Sequence, residues 1–341
     1  MKKIDGHLEH ALLLDSVKPK FSLKKGIDLE EHKKALKEKF IELSGYDKVV
    51  KNAVPLKIEI EQEVDKGEYR QIRFVFESEK GAFVPCYLLI PKGEKKKYPV
   101  AITMQGHSTG FHNSIGEPKD DEDAYYALTR GQFAVQAVKN GYIALAIEQR
   151  AMGERMTTRH SWGYGCTFPS LVAISLGRTV IAERIFDITR AIDALSYFSE
   201  CDLDKIFITG NSGGGTISYY APIIEERIRF TAPSCAVCSY KTSILDIHHC
   251  PCNYIPSCYE WFEMQDLAIL FAPRPIIVIT GKDDKIFPLN GVKEAFKTIR
   301  LAYEMSGKKD NCELVVTDKG HWWCEDLVWN AINAMAKKLN F

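Results

Sequence analysis

From Tyr98 onward, short apolar runs alternate with stretches of helical periodicity, and this alternation restricts the chain more than any other feature. PVAITM, YIALAI, KIFITG, PIIVIT and ELVVTD are each about one strand long. A strand apolar along its whole length must be covered on both faces, and helices crossing over between parallel strands supply that cover. An α/β architecture is expected. Upstream, Leu56 to Val64, Tyr69 to Glu77 and Ala82 to Ile90 alternate with period two, and the turns Asp65-Lys66-Gly67 and Lys80-Gly81 separate them. They read as an antiparallel meander joined to the parallel sheet. Residues 28 to 43 carry an apolar stripe at helical spacing through Leu36, Phe40 and Leu43. Arg178 to Glu200 is the longest helix candidate. We divide the chain into an N-terminal helical extension, 1–50, and one α/β domain, 51–341. Within it, residues 234–262 have no sustained period and form a cysteine-rich excursion.

Composition narrows the partners. Lys plus Arg and Asp plus Glu are both 45 in 341 residues, so the net charge is zero. A nucleic-acid binder draws its affinity from a basic surface, and none is expected here. No run approaches the roughly 18 apolar residues that a spanning helix requires, so no membrane partner is expected. The N-terminus has two lysines but then Asp5, His7, Glu9 and His10, and Ala11 to Leu14 is too short for a secretory core. The expected location is cytoplasmic, and the ten cysteines are expected to be free thiols. An oligomer is compatible with the sequence.

The chemistry concentrates where strands end. KIFIT runs into Gly210-Asn211-Ser212-Gly213-Gly214-Gly215, and a helical segment follows. This is G-x-S-x-G between a strand and a helix, where a sharp reversal pushes the serine Oγ out over the sheet edge. Glycines two before and two after let neighbouring backbones pass without Cβ clashes. The N–H of Gly213, at a helix start, is placed to receive an oxyanion. No Gly-Lys-Ser/Thr follows, so a phosphate loop is excluded. A serine hydroxyl needs a general base and a group that orients the base. PIIVIT ends in Gly281-Lys282-Asp283-Asp284, and ELVVTD ends in Lys319-Gly320-His321-Trp322, so a carboxylate and an imidazole follow later strands at intervals of 72 and 37 residues.

With these residues the chain resembles an α/β-hydrolase, whose order is nucleophile, acid, histidine. GNSGGG, EQRAMGER and GKDDKIFP resemble more narrowly the branch similar to dienelactone hydrolases and acetyl xylan esterases. That resemblance implies a mostly parallel central sheet with antiparallel N-terminal strands and helices on both faces. It also puts the acid in the fourth position of G-x-x-D-x-x-x-P, which selects Asp284, with Asp283 as its neighbour and alternative. An oxyanion donor is implied just after VAITM, where this chain has Gln105-Gly106 in place of the more usual His-Gly. The implied donor is the backbone N–H of His107. Arg150 matches an arginine that holds loops near such sites or touches substrate.

Trp162, Tyr164, Tyr254, Trp261, Trp322 and Trp323 fall on segments expected near the sheet's carboxyl edge, where one or two could stack on a sugar ring. Ordinary packing is the competing reading for them. Trp162 and Trp322 join Arg150 as pocket candidates. His248 and His249 stand among Cys235, Cys238, Cys250, Cys252 and Cys258. A zinc site needs four converging ligands, but C-x-C is not its usual second half, and these are read as buried or pocket-lining thiols. No metal or organic cofactor is expected.

The expected function is a serine carboxylesterase removing small acyl groups, acetyl foremost, from a small-molecule or oligosaccharide ester. A lactone hydrolase or a peptidase would use the same three side chains. A non-catalytic or metal-binding module on the same fold is the reading of a different class.

Overall fold

The computed structural model describes residues 4–157 and 165–341. The strands are β1 (Ile58–Asp65), β2 (Tyr69–Glu79), β3 (Ala82–Pro91), β4 (Tyr98–Met104), β5 (Ile143–Ile147), β6 (Cys201–Asn211), β7 (Ile228–Ser234), β8 (Ile276–Gly281) and β9 (Cys312–Thr317). They form one nine-stranded sheet in the order β1-β2-β3-β5-β4-β6-β7-β8-β9. The first three pair antiparallel and β3 joins β5 antiparallel, while every later pairing is parallel. The meander and the parallel sheet are therefore those read from periodicity. Gly67 and Gly81 both take φ +82 in the hairpin turns, the left-handed conformation that glycine adopts without cost.

The helices are α1 (Leu8–Ser16), α2 (Leu29–Ser44), α3 (Tyr46–Val50), α4 (Asp121–Arg130), α5 (Phe133–Lys139), α6 (Thr167–Ser175), α7 (Val180–Ala194), α8 (Gly213–Ile224), α9 (Cys258–Trp261), α10 (Leu289–Met305) and α11 (Glu325–Lys338). Helix α2 begins where Asp28 accepts from the N–H groups of Glu30 and Glu31 and ends at Gly45, whose φ is +71. The expected helix over 178–200 is shorter: α7 stops at Ala194 and a 3₁₀ turn, Leu195–Tyr197, finishes it. Among the described residues no helix is long and apolar enough to cross a membrane.

Strand alternation builds two cores. Val100, Ile102, Ile206, Ile208, Ile276 and Val278 face one side, where α7, α8 and α10 cover them. Ala101, Phe207, Ile277 and Ile279 face the other, under α5 and α11. Two departures from the sequence reading have physical causes. Strand β7 carries the polar Arg229 and Thr231 and the ring of Pro233, so no continuous apolar run marks it, yet its burial is nearly complete. The excursion after β7 is irregular but ordered, because Glu263 accepts the backbone N–H groups of Tyr240, Lys241 and Met264 and so satisfies turns that have no ladder.

The site's position follows from strand order. Strand β4 lies between β5 and β6, so the chain leaves β4 in one direction and returns on its other side. The loops after β4 and β6 thus border a crevice at the carboxyl edge, where open α/β sheets bind ligands.

Candidate active site

Ser212 joins β6 to α8 at φ 57 and ψ −123, a conformation that side chains with a Cβ rarely adopt. Its N–H bonds the carbonyl of Ser234 at 2.9 Å, and its carbonyl receives the N–H of Thr216 at 2.8 Å, which holds the reversal from both sides. The flanking glycines are required by close approach. A Cβ on Gly210 would lie 2.2 Å from the Met104 carbonyl oxygen, and one on Gly214 would lie 1.9 Å from the same atom. Gly213 opens α8, and first-turn N–H groups have no acceptor in the helical ladder.

The loop after β4 presses on this elbow. A Cβ on Gly106 would stand 2.8 Å from the Asn211 carbonyl oxygen, 2.9 Å from Ser212 Cβ and 3.3 Å from the Gly213 nitrogen. Only glycine lets the two backbones approach so closely. Gln105 in front of it is buried, and its amide donates to Glu148 Oε1 at 2.8 Å. Glu148 also accepts the N–H groups of Phe111 and Glu154, each at 3.2 Å. Glycines at 110 and 153 make room for its carboxyl group, since a Cβ at either would lie within 3 Å of Oε2. Burial pushes the Glu148 carboxyl up to about 7. The Gln-Gly departure from His-Gly therefore has a partner in EQRAMGER that sequence spacing does not reveal.

The acid and the imidazole meet because the loops after β8 and β9 are pressed together. A Cβ on Gly281 would fall 1.9 Å from the Gly320 carbonyl oxygen, and Asp283 donates its N–H to the Lys319 carbonyl at 3.1 Å. His321 Nδ1 lies 2.8 Å from Asp284 Oδ2. The other oxygen of Asp284 accepts the N–H groups of Ile286 and Phe287 at 2.8 and 3.1 Å, so the buried carboxylate is fixed by three donors. Asp283 is exposed. The Phe287 ring lies nearly parallel to His321, with centroids 5.9 Å apart.

Ser212 and His321 line one cavity of about 340 Å³, together with Gln105, Gly106, His107, Asn113 and Phe133. Asn113 and Phe133 carry no sequence signal, because they come from segments between strands with no motif. His112, next to Asn113, is buried and bonded to Asp123. A larger cavity of about 770 Å³ lies between α1 and the excursion; Tyr254 of the aromatic candidates lines it, whereas Ser212, Asp284 and His321 do not.

The pocket candidates require correction. Arg150 does not line the cavity. It is buried in a network in which Arg150, Arg155 and Arg178 face Glu79, Glu183 and Asp187, with Arg150 2.7 Å from both Glu79 and Asp187. Burial alone would raise the Asp187 carboxyl, but the Arg150 and Arg155 charges hold it well below the carboxylate range. Trp322 is also absent from the cavity wall, although its carbonyl accepts from Cys235 Sγ at 3.7 Å. Trp162 and Tyr164 lie outside the described residues. Trp323 is core: its ring packs on Phe133 and its Nε1–H donates to Gln136 at 2.9 Å. Trp261 is remote, stacked on Phe21 and covered by Lys20 and Lys39.

A parallel sheet with a serine at the turn after β6 and a carboxylate and an imidazole after β8 and β9 defines an α/β-hydrolase. The Abhydrolase family matches residues 7–216, more than half of the chain, and the chain belongs to that family. It is 26% identical over 259 residues to YtaP of Bacillus subtilis strain 168, a protein provisionally named a hydrolase, covering 75% of this chain and 83% of that one. Among solved structures it is similar to one from Bacteroides fragilis NCTC 9343, provisionally titled an acetyl xylan esterase, with TM-score 0.79, 16% identity and coverage of 98% and 96% of the two chains. Acetyl xylan esterase 1 from Thermoanaerobacterium sp. JW/SL YS485 superposes with TM-score 0.59 at 16% identity, covering 98% and 99%. A glucuronoyl esterase from Caldicellulosiruptor kristjansonii does so with TM-score 0.64 at 17% identity, covering 95% and 91%. At such identities these likenesses establish the fold.

Proposed function

We propose that this protein is a serine carboxylesterase that removes small acyl groups, acetyl foremost, from a carbohydrate or similar alcohol. The observation that carries the reading is the 2.8 Å pairing of His321 with Asp284 on the rim of a cavity that Ser212 shares. Support for the substrate class comes from the acetyl xylan and glucuronoyl esterases that share the fold.

In this mechanism Ser212 Oγ attacks the ester carbonyl carbon while His321 Nε2 takes the hydroxyl proton. Asp284 accepts from Nδ1–H, which fixes the tautomer and stabilises the imidazolium as it forms. The tetrahedral oxyanion is received by the N–H groups of Gly213 and His107, dipoles set before the reaction begins. Collapse breaks the C–O bond, and His321 returns its proton to the leaving alcohol. A water deprotonated by the same imidazole then attacks the acyl-enzyme and releases the acid and Ser212.

The test is Ser212→Ala assayed on p-nitrophenyl acetate and on acetylated xylo-oligosaccharides. Hydrolysis should fall by at least about 10³-fold with the cavity walls intact. Undiminished turnover in a folded Ser212→Ala protein refutes the reading, and activity confined to lactones or peptides refutes the substrate class.

A further inference from the structure

The loop that carries His107 ends in a cluster the esterase mechanism does not use. His107 Nε2 lies 3.3 Å from Cys166 Sγ and 3.3 Å from Cys252 Sγ, and Cys166 Sγ lies 2.7 Å from Cys250 Sγ. All four ligand atoms fall within 4.8 Å of one another. The three thiols are buried. We propose that His107, Cys166, Cys250 and Cys252 form a Cys₃His site for a zinc-class divalent ion that ties the loop after β4 to the cysteine-rich excursion.

The donor chemistry fits that ion. Three thiolates and one imidazole are a structural zinc set, with Zn–S about 2.3 Å and Zn–N about 2.0 Å in a tetrahedron. Such a tetrahedron separates S from N by roughly 3.5 Å and S from S by roughly 3.8 Å. The two S···N distances already approach this value, and the Cys166–Cys250 contact must open by about 1 Å. Charge also fits. A dication with three thiolates and a neutral imidazole carries one negative charge, and the positive charge of the buried Arg184 guanidinium acts on Cys166 and Cys252. Among the described residues Arg184 has no carboxylate partner and donates only to the Arg150 carbonyl, at 2.8 and 3.1 Å. A buried cation without a carboxylate is costly unless another anion answers it, and the thiolate cluster supplies that anion. Asn253 adds an N–H directed at Cys252 Sγ at 3.7 Å, an outer contact of the kind that orients a metal ligand.

Binding would release the remaining thiol protons to solvent and form three S–metal bonds and one N–metal bond, with no change of oxidation state. Four protein ligands close the site, so the ion acts by holding structure and leaves no position for substrate. What it holds is the turn Gln105-Gly106-His107, packed on Ser212 and Gly213. This catalytic consequence rests on the esterase reading, whereas the site itself does not.

The full chain should be purified under reducing conditions without a metal-affinity column and its metal content measured by inductively coupled plasma mass spectrometry. About one zinc per chain is expected. Ser212→Ala should retain it, which separates this inference from failure of the esterase reading, while Cys252→Ser and His107→Gln should bind at least about tenfold more weakly. Cobalt added to chelator-treated wild type should give sulfur-to-metal charge-transfer absorption, so the result stands even if a cysteine variant fails to fold. Wild-type protein that holds no metal and gives no cobalt–sulfur band overturns the proposal. So does a Cys166–Cys250 disulfide found by mass spectrometry in anaerobically purified protein.

Discussion

Replacing Gly106 by Ala separates the oxyanion loop from the nucleophile while leaving Ser212, Asp284 and His321 unsubstituted. The added methyl would stand 2.8 Å from the Asn211 carbonyl oxygen and 2.9 Å from Ser212 Cβ, both backbone-anchored neighbours of the elbow. Ordinary contact requires about 3.4 Å or more, so loop and elbow must part by roughly half an ångström. Overpacking of this kind costs about 1–3 kcal/mol of stability. The larger effect falls on catalysis, because complete loss of an oxyanion donor lowers kcat by about 10²–10³. A half-ångström retreat of one donor should lower kcat by roughly 10–100-fold, equivalent to about 1.4–2.7 kcal/mol, with KM nearly unchanged. Steady-state kinetics on p-nitrophenyl acetate, beside thermal unfolding, measures both. If the variant unfolds like wild type and its kcat lies within about threefold, the loop after β4 does not supply the donor and the proposed oxyanion site is wrong.

The remaining expectations concern single side chains. Asp284→Asn should lower kcat by about 10⁴-fold because it favours the wrong tautomer of His321, whereas exposed Asp283→Asn should stay near wild type; equal losses in the two would sink the assignment. Asp187→Ala leaves Arg150 and Arg155 facing each other without their shared carboxylate and should cost about 3–5 kcal/mol in chemical denaturation; a loss under about 1 kcal/mol would show that the network is solvated. Glu148 has a folded pKa of about 7, above its ordinary 4.5, so the native state binds the extra proton between these values. Its contribution is present below about pH 4.5 and is lost as pH rises toward 7, by up to roughly 3 kcal/mol. The stability difference between wild type and Glu148→Gln should therefore slope across that window, and a flat difference from pH 4.5 to 7.5 contradicts the burial argument.

Much of this molecule is legible in its sequence, and the reason is local. Each apolar run of five or six residues reports a strand buried on both faces, and Ser212, Asp284 and His321 stand immediately beyond three of them, where the topology brings loop ends together. Alternation in 56–90 reports the meander equally directly. Strand β7 escapes because exposed Arg229, buried Thr231, whose hydroxyl donates to the Ser218 carbonyl, and Pro233 break its apolar run. What spacing cannot carry is pairing between distant segments. Nothing in Gln105-Gly106 reveals that a glutamate at 148 receives the amide. Arg150 is read as a loop-holding or substrate residue, yet its partners lie on β2 and α7. The same holds for the thiols: a search confined to 235–258 finds only C-x₂-C and C-x-C, while Cys166 and His107 lie 84 and 145 residues from the cysteines they meet.

The Arg150 network has a consequence for how this fold comes apart. Three cations and three anions interlock β2, the turn after β5 and α7. Peeling the antiparallel strands from the sheet would strand those charges in a poorly hydrated gap, so partial opening there is more costly than its exposed edge implies. The meander and α7 should consequently exchange their amide protons as one cooperative unit, with protection close to that of the central strands.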